Sequence, residues 1–195
     1  MTEIAASIFK KYDIRGRATG EGAPLNKESA FAIGQAIGTH LQRIRYVQRV
    51  VVGRDNRSSS FDLQDALMNG LKRSGMQVID IGLVSTPLVY WHAVQEGNVG
   101  GVMVTGSHLG PDQNGFKISV GAENLWDVQI QQLRQIIERS DFSYGSGAIS
   151  SNLSAYSDYV RDLTQRIQIS RPLKVVIDPG NGTGGLFAPR LFKLW

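Results

Sequence analysis

Along the first third of the chain, Ala30, Ile33, Gly34, Ile37, Leu41 and Ile44 recur at spacings of three and four, which gathers them on one face of a helix that Asn26 can cap. Residues 48–53 then form a short β-branched run ending in a Gly-Arg-Asp turn. The serine cluster 58–60 follows, leading into a second periodic segment through Ala66, Leu67 and Leu71. Gly75 stands where a glycine past a helix end belongs. Residues 76–83 read as a strand, and Thr86-Pro87 opens a helix to about Gln95, since proline in a first turn loses no hydrogen bond. Residues 99–104 and 116–120 read as two more strands. A helix over 125–139 carries Ile130, Leu133, Ile136 and Ile137 as its apolar positions.

From 141 to 152 the sequence turns Ser-, Gly- and Tyr-rich without periodicity, which predicts an exposed connection between domains. A helix over 154–167, a strand over 173–178, a glycine turn over 180–185 and the start of another helix follow. The expected organisation is a first domain over residues 1–150 and an incomplete second one over 151–195. One strand cannot make a sheet, so the exposed apolar faces of that second part invite association.

Composition narrows the class. With 195 residues, 42% of them apolar and 19% charged, the chain can bury an ordinary core. Its 21 Lys and Arg residues give a net charge of +4 but are scattered, which argues against a nucleic-acid partner. The absence of cysteine excludes disulfides and thiolate metal sites and fits a reducing compartment. Residues 1–10 lack the pattern of a signal peptide, and no apolar run approaches the roughly 18 residues of a membrane helix. The expectation is a cytoplasmic protein with no membrane partner.

Chemistry concentrates in 102–117, where an apolar strand runs into Thr105-Gly106-Ser107-His108, turns through Gly110-Pro111-Asp112-Gln113-Asn114-Gly115 and returns at Phe116-Lys117. Ligands collect at strand ends in open α/β sheets. The returning strand is expected to bring Lys117 toward Ser107. Phosphoryl transfer needs an acceptor oxygen, a cation for the moving group and a proton carrier, and Ser107, Lys117 and His108 are of those types. The same residues also suit a plain turn, in which Ser107 only shapes the loop. No Gly-x-Ser-x-Gly elbow surrounds Ser107, which speaks against a serine hydrolase. Gly180, Gly182 and Gly185 satisfy the spacing of a dinucleotide fingerprint, yet the acidic residue expected about twenty positions on is lacking, so they read as a turn into a helix. His40 and His92 lie in predicted helices and read as packing residues.

The stretch from Thr105 to Lys117 resembles the active-site loop of the α-D-phosphohexomutases, Thr-(Ala/Gly)-Ser-His-Asn-Pro followed by Asn-Gly-Phe-Lys. Three further segments agree in order: Lys11-Tyr12-Asp13-Ile14-Arg15-Gly16, Val52-Gly53-Arg54-Asp55 and Gly82-Leu83-Val84-Ser85-Thr86-Pro87. The tail Val175-Val176-Ile177-Asp178-Pro179-Gly180-Asn181-Gly182 is similar to the opening of the family's second domain, and the whole looks most like the bacterial phosphomannomutase/phosphoglucomutase branch.

The resemblance implies a mixed α/β sheet packed between helices, plus the incomplete start of a second similar domain. It implies that Ser107 carries a phosphoryl group exchanged between O1 and O6 of a hexose phosphate substrate through a bisphosphorylated sugar. Hexose 1,6-bisphosphate would be the activating donor, and Mg²⁺ would sit on a phosphoryl oxygen of Ser107. Lys117 and His108 would lie near the bridging oxygens, with Arg15 and Tyr12 supporting the loop. Leu109-Gly110 stands where the family pattern has Asn-Pro, exchanging a polar and a stiff residue for an apolar and a flexible one, which predicts a looser loop. The family's metal loop Asp-Gly-Asp-x-Asp-Arg, sugar loop Glu-x-Ser-x-His and phosphate loop Arg-x-Ser-x-Thr-Glu-Pro do not occur in this sequence. The chain is therefore expected not to turn over alone, or else to serve as a non-catalytic binding module.

Overall fold

The computed structural model describes residues 4–195; the first three residues of the stretch read above for a signal peptide lie outside the described residues. The helices are α1 (Lys27–Arg45), α2 (Ser60–Arg73), α3 (Thr86–Gln95), α4 (Val128–Glu138), α5 (Ala155–Arg166) and α6 (Gly184–Phe192). The strands are β1 (Ile14–Arg17), β2 (Arg49–Arg54), β3 (Gln77–Leu83), β4 (Gly100–Val104), β5 (Gln113–Val120), β6 (Glu123–Asn124) and β7 (Ala148–Ser151). They build one sheet in the order β1-β5-β4-β2-β3-β7, with β6 paired to β5. The β4-β2-β3-β7 part is parallel, while β1 and β4 each run antiparallel to β5.

Alternation along β2 explains the layers, because successive side chains point to opposite faces. Val50 and Val52 join α1, α2 and α4 in the larger core, and Val51 joins residues of α3 and α5 in the smaller one. The expected mixed sheet between helices is what forms. At the start of α1 the Asn26 side chain accepts from Ser29 N–H at 2.9 Å, and the Ser29 hydroxyl accepts from Asn26 N–H at 2.9 Å, so two orphan donors are satisfied reciprocally. Helices α1 and α2 cross closely at Gly34, where a Cβ would stand 2.2 Å from the Leu67 carbonyl oxygen.

Strands β1 and β6 have no counterpart among the elements read from the sequence, and two further segments differ from expectation. Residues 141–152 are not a bare connection: Ser143 N–H donates to Thr39 Oγ1 at 2.9 Å, Gly145 N–H donates to the Arg73 carbonyl, and β7 extends the sheet beyond β3. Their polar, non-periodic composition suits an edge strand, which needs a partner on one side only. Conversely, 173–178 forms no strand, and Val176 there is 90% exposed. Among the described residues no neighbouring strand is available to it, and a strand without a ladder leaves its backbone groups to water. The glycines at 180–185 turn into α6 as read, with Gly182 N–H donating to the Pro179 carbonyl at 2.8 Å.

Candidate active site

In the parallel part of the sheet, β3 and β4 flank β2 on opposite sides, so the chain reverses direction across β2. Ligands bind beyond the carboxyl ends of strands at such a switch point. Here Asp55-Asn56-Arg57 follow β2, Ser85-Thr86 follow β3 and Thr105 to Pro111 follow β4, and together they line an open cleft of about 850 Å³. The turn Gly180 to Thr183 closes its far side: Asn56 Nδ2 donates to the Asn181 carbonyl at 3.0 Å, and Thr183 Oγ1 donates to Asn56 Oδ1 at 3.2 Å.

Ser107 stands exposed at the cleft with a left-handed backbone, φ 55°. For a residue other than glycine that conformation costs about 1–2 kcal/mol, so its surroundings must hold it. Ser107 N–H donates to Thr105 Oγ1 at 2.9 Å, and Thr105 Oγ1 donates to Asp55 Oδ2 at 2.8 Å. The Ser107 carbonyl accepts from Arg57 Nη2 at 2.9 Å. Asp55 and Arg57 are themselves an ion pair, Nε to Oδ2 at 3.1 Å, with little of either side chain exposed. The Ser60 hydroxyl donates to Asp55 Oδ1 and accepts from Asn114 Nδ2 at 2.9 Å, which ties the returning strand to the same network.

The residues singled out from sequence fall into two groups. His108 lines the cleft beside Ser107, its Nδ1 3.4 Å from Ser107 Oγ, at the long limit of a hydrogen bond. Lys117 pairs in register with Met103 and Arg15 with Gly115, so period-two alternation puts Lys117, Arg15 and the cleft-lining Met103 on one face of the sheet. Both cations approach Asp13, Lys117 Nζ at 3.8 Å and Arg15 Nε at 3.4 Å, and neither lines the cleft. The expected shared rim is thus divided in two, because the register places Lys117 four positions short of Ser107. Burial, and secondarily the charge of Asp13, raise the Tyr90 hydroxyl above its ordinary pKa. Tyr12 is 65% exposed, with Lys11 Nζ 5.5 Å from its ring centre.

Sequence reasoning missed Arg57, Thr105, Asn56 and the role of Asp55. The available signal was position: Asp55 to Ser60 is a polar run directly after a strand whose four central residues are buried, at the end where ligands bind. Magnesium takes six oxygen ligands, ordinarily with one or two carboxylates. Among the described residues no group of three or more His, Asp or Glu could hold a metal, and Asp55 is already engaged by Ser60, Thr105 and Arg57. These residues do not by themselves fit a magnesium site. No helix among the described residues is long and apolar enough to cross a membrane.

A three-layer α/β/α domain with a polar cleft over its parallel strand ends is the class that fold and site define. Residues 6–144 match the family model "Phosphoglucomutase/phosphomannomutase, alpha/beta/alpha domain I". The chain is 40% identical over 194 residues to a phosphoglucomutase of Neisseria meningitidis serogroup B, covering 99% of this chain and 41% of that protein. It is 44% identical over 191 residues to a phosphomannomutase/phosphoglucomutase of Pseudomonas aeruginosa, covering 97% and 40%. A crystal structure of a phosphoglucomutase/phosphomannomutase family protein from Burkholderia thailandensis superposes with a TM-score of 0.90 at 40% identity, covering 98% of this chain and 43% of that one. The chain belongs to the phosphoglucomutase/phosphomannomutase family, and it spans about two fifths of the length of these relatives.

Proposed function

We propose that this chain is the phosphoserine-bearing part of a phosphohexomutase that moves a phosphoryl group between O1 and O6 of a hexose phosphate. The observation that carries the reading is Ser107: its hydroxyl faces an open cleft while its N–H and C=O are both tied into the Asp55–Arg57 network. In the charging step a P–O bond of hexose 1,6-bisphosphate breaks and a bond from phosphorus to Ser107 Oγ forms, while the hydroxyl proton passes by way of His108 to the departing sugar oxygen, releasing hexose monophosphate. In transfer to substrate the Oγ–P bond breaks, the sugar oxygen takes the phosphoryl group, and the sugar's hydroxyl proton passes by way of His108 to Ser107 Oγ, restoring the free serine. Lys117 and Arg15, which share a sheet face with Met103 but stand outside the cleft lining beside Asp13, contribute positive charge to the moving group only at longer range. Tyr12 supports the amino-terminal side of the loop.

The implied Mg²⁺ finds one ligand at most here, a phosphoryl oxygen on Ser107; its other ligands would come from beyond the described residues, and no step above runs through it. A division near residue 150, with 151–195 opening a second domain, belongs to this reading, with α5 as the element that rests on α3 of the first. The many exposed apolar residues after 151 and the greater length of the relatives support it. The test is a phosphoryl mass on Ser107, read by peptide mass spectrometry after incubation with glucose 1,6-bisphosphate and Mg²⁺. It is run on the chain and on the chain grafted onto the remaining length of the Pseudomonas relative. Labelling of the graft, abolished by Ser107→Ala, is expected. An unlabelled graft that folds and binds the sugar would overturn the acceptor assignment.

A further inference from the structure

We propose that Arg57 is the positioning residue that makes Ser107 a competent phosphoryl acceptor, holding the whole loop from beneath by its carbonyl groups. The inference rests on the acceptor reading of Ser107 given above.

The geometry is unusually complete for one side chain. Arg57 Nη2 donates to the carbonyls of Ser107 at 2.9 Å and Leu109 at 2.8 Å; Nη1 donates to those of Gly110 at 2.5 Å and Gln113 at 3.0 Å; Nε donates to Asp55 Oδ2 at 3.1 Å. All five guanidinium donors are therefore used, in the fixed planar fork that only arginine has. Four loop carbonyls converge on one delocalised cation instead of turning outward, where their negative ends would oppose an incoming phosphoryl group. The loop also leaves space for this. At Gly106 a Cβ would stand 2.5 Å from Arg57 Cζ, so the guanidinium packs directly against the loop backbone there.

The second half of the device is Asp55. It orients Arg57 through Nε and holds Thr105 Oγ1, which in turn receives the Ser107 N–H. One ion pair thus fixes Ser107 on both sides of its Cα and leaves its hydroxyl free. This also explains how Leu109-Gly110 is tolerated where the family pattern has Asn-Pro: the carbonyls of both residues are held by Arg57, so loop order does not depend on their side chains.

The test uses Arg57→Lys, which keeps a cation beside Asp55 but offers three donors on a flexible stem, and Asp55→Asn, which keeps the side-chain shape but removes the charge that orients the guanidinium. Two quantities are read: the rate constant and half-saturating glucose 1,6-bisphosphate concentration for Ser107 phosphorylation in the grafted protein, and amide exchange over 105–113 in the chain itself. The expected result for both variants is a fall in the rate constant on the order of 100-fold, as for a reacting group misplaced by an ångström. The half-saturating concentration should be unchanged, and exchange should quicken only in the loop. A parental rate constant in Arg57→Lys, or unaltered loop exchange in both variants, overturns the proposal. A fall matched by general loss of protection would mark Arg57 as a stability residue and overturn it too. If the parent protein takes no phosphoryl group, the acceptor reading fails by itself, and loop exchange still reports whether the clamp exists.

Discussion

Residues 50–52 and 175–177 carry nearly the same local message, Val-Val-Val and Val-Val-Ile, and meet opposite fates. In β2 all three valines are fully buried between β3 and β4, with helices on both faces. In 173–178 the same kind of run forms no ladder, Val175 is 45% exposed and Val176 90%. β-branched residues favour extended backbone, but most of what a strand gains comes from cross-strand partners and burial. A strand pattern is thus a demand for neighbours, and only the first of these runs has them. The cleft inherits the difference: its loops from β2, β3 and β4 are anchored in the sheet, whereas Gly180 to Thr183 is held over it mainly through Asn56.

The strongest way to break this contrast is a charge in each run. Val51→Asp puts a carboxylate into the sheet interior and should cost upwards of about 4 kcal/mol, enough to abolish cooperative unfolding of the domain. Val176→Asp should stay within about 0.5 kcal/mol of the parent in urea titration. Comparable losses from both would show that the tail is packed like the sheet. A smaller effect tests whether the two regions unfold together. Asn26→Ala removes the α1 cap and should cost about 1 kcal/mol in the same titration, while amide exchange over 168–183 stays unchanged.

The smallest effect at neutral pH concerns His40. It lies buried on α1, its Nε2 lacks a partner among the described residues, and burial, then the charge of Arg45, lower its pKa below the ordinary 6.5. The unfolded chain therefore takes up this proton more readily than the folded one. Stability should be complete above about pH 6.5 and decline as pH falls through that value toward the lower folded one, a slope that His40→Leu removes. Equal slopes in parent and variant would dismiss His40 as the source.

Much of the domain was legible along the chain. The three- and four-residue spacing of α1, its Asn26 cap and the β2, β3 and β4 runs all appear as read, because local propensity and burial agree there. Of the site, Ser107 and His108 were legible as a pair, since adjacency in sequence guarantees adjacency in space. Lys117 was legible as a returning residue, but its distance from Ser107 was set by register with Met103, which sequence spacing leaves open. Arg57 was not legible. Nothing in Asp55-Asn56-Arg57 says that four carbonyls from a loop about fifty residues later will meet one guanidinium.

By itself, then, the sequence determined the helices and central strands, the place of the polar loops at strand ends, and the chemical type of the exposed Ser107. The tertiary structure alone decided which β-branched run becomes a strand, that 148–151 joins the sheet edge, and that Asp55 and Arg57 hold the loop. The physical reason is common to all three. Each depends on hydrogen-bond groups finding partners far away in the chain, and only the folded arrangement brings those partners within reach.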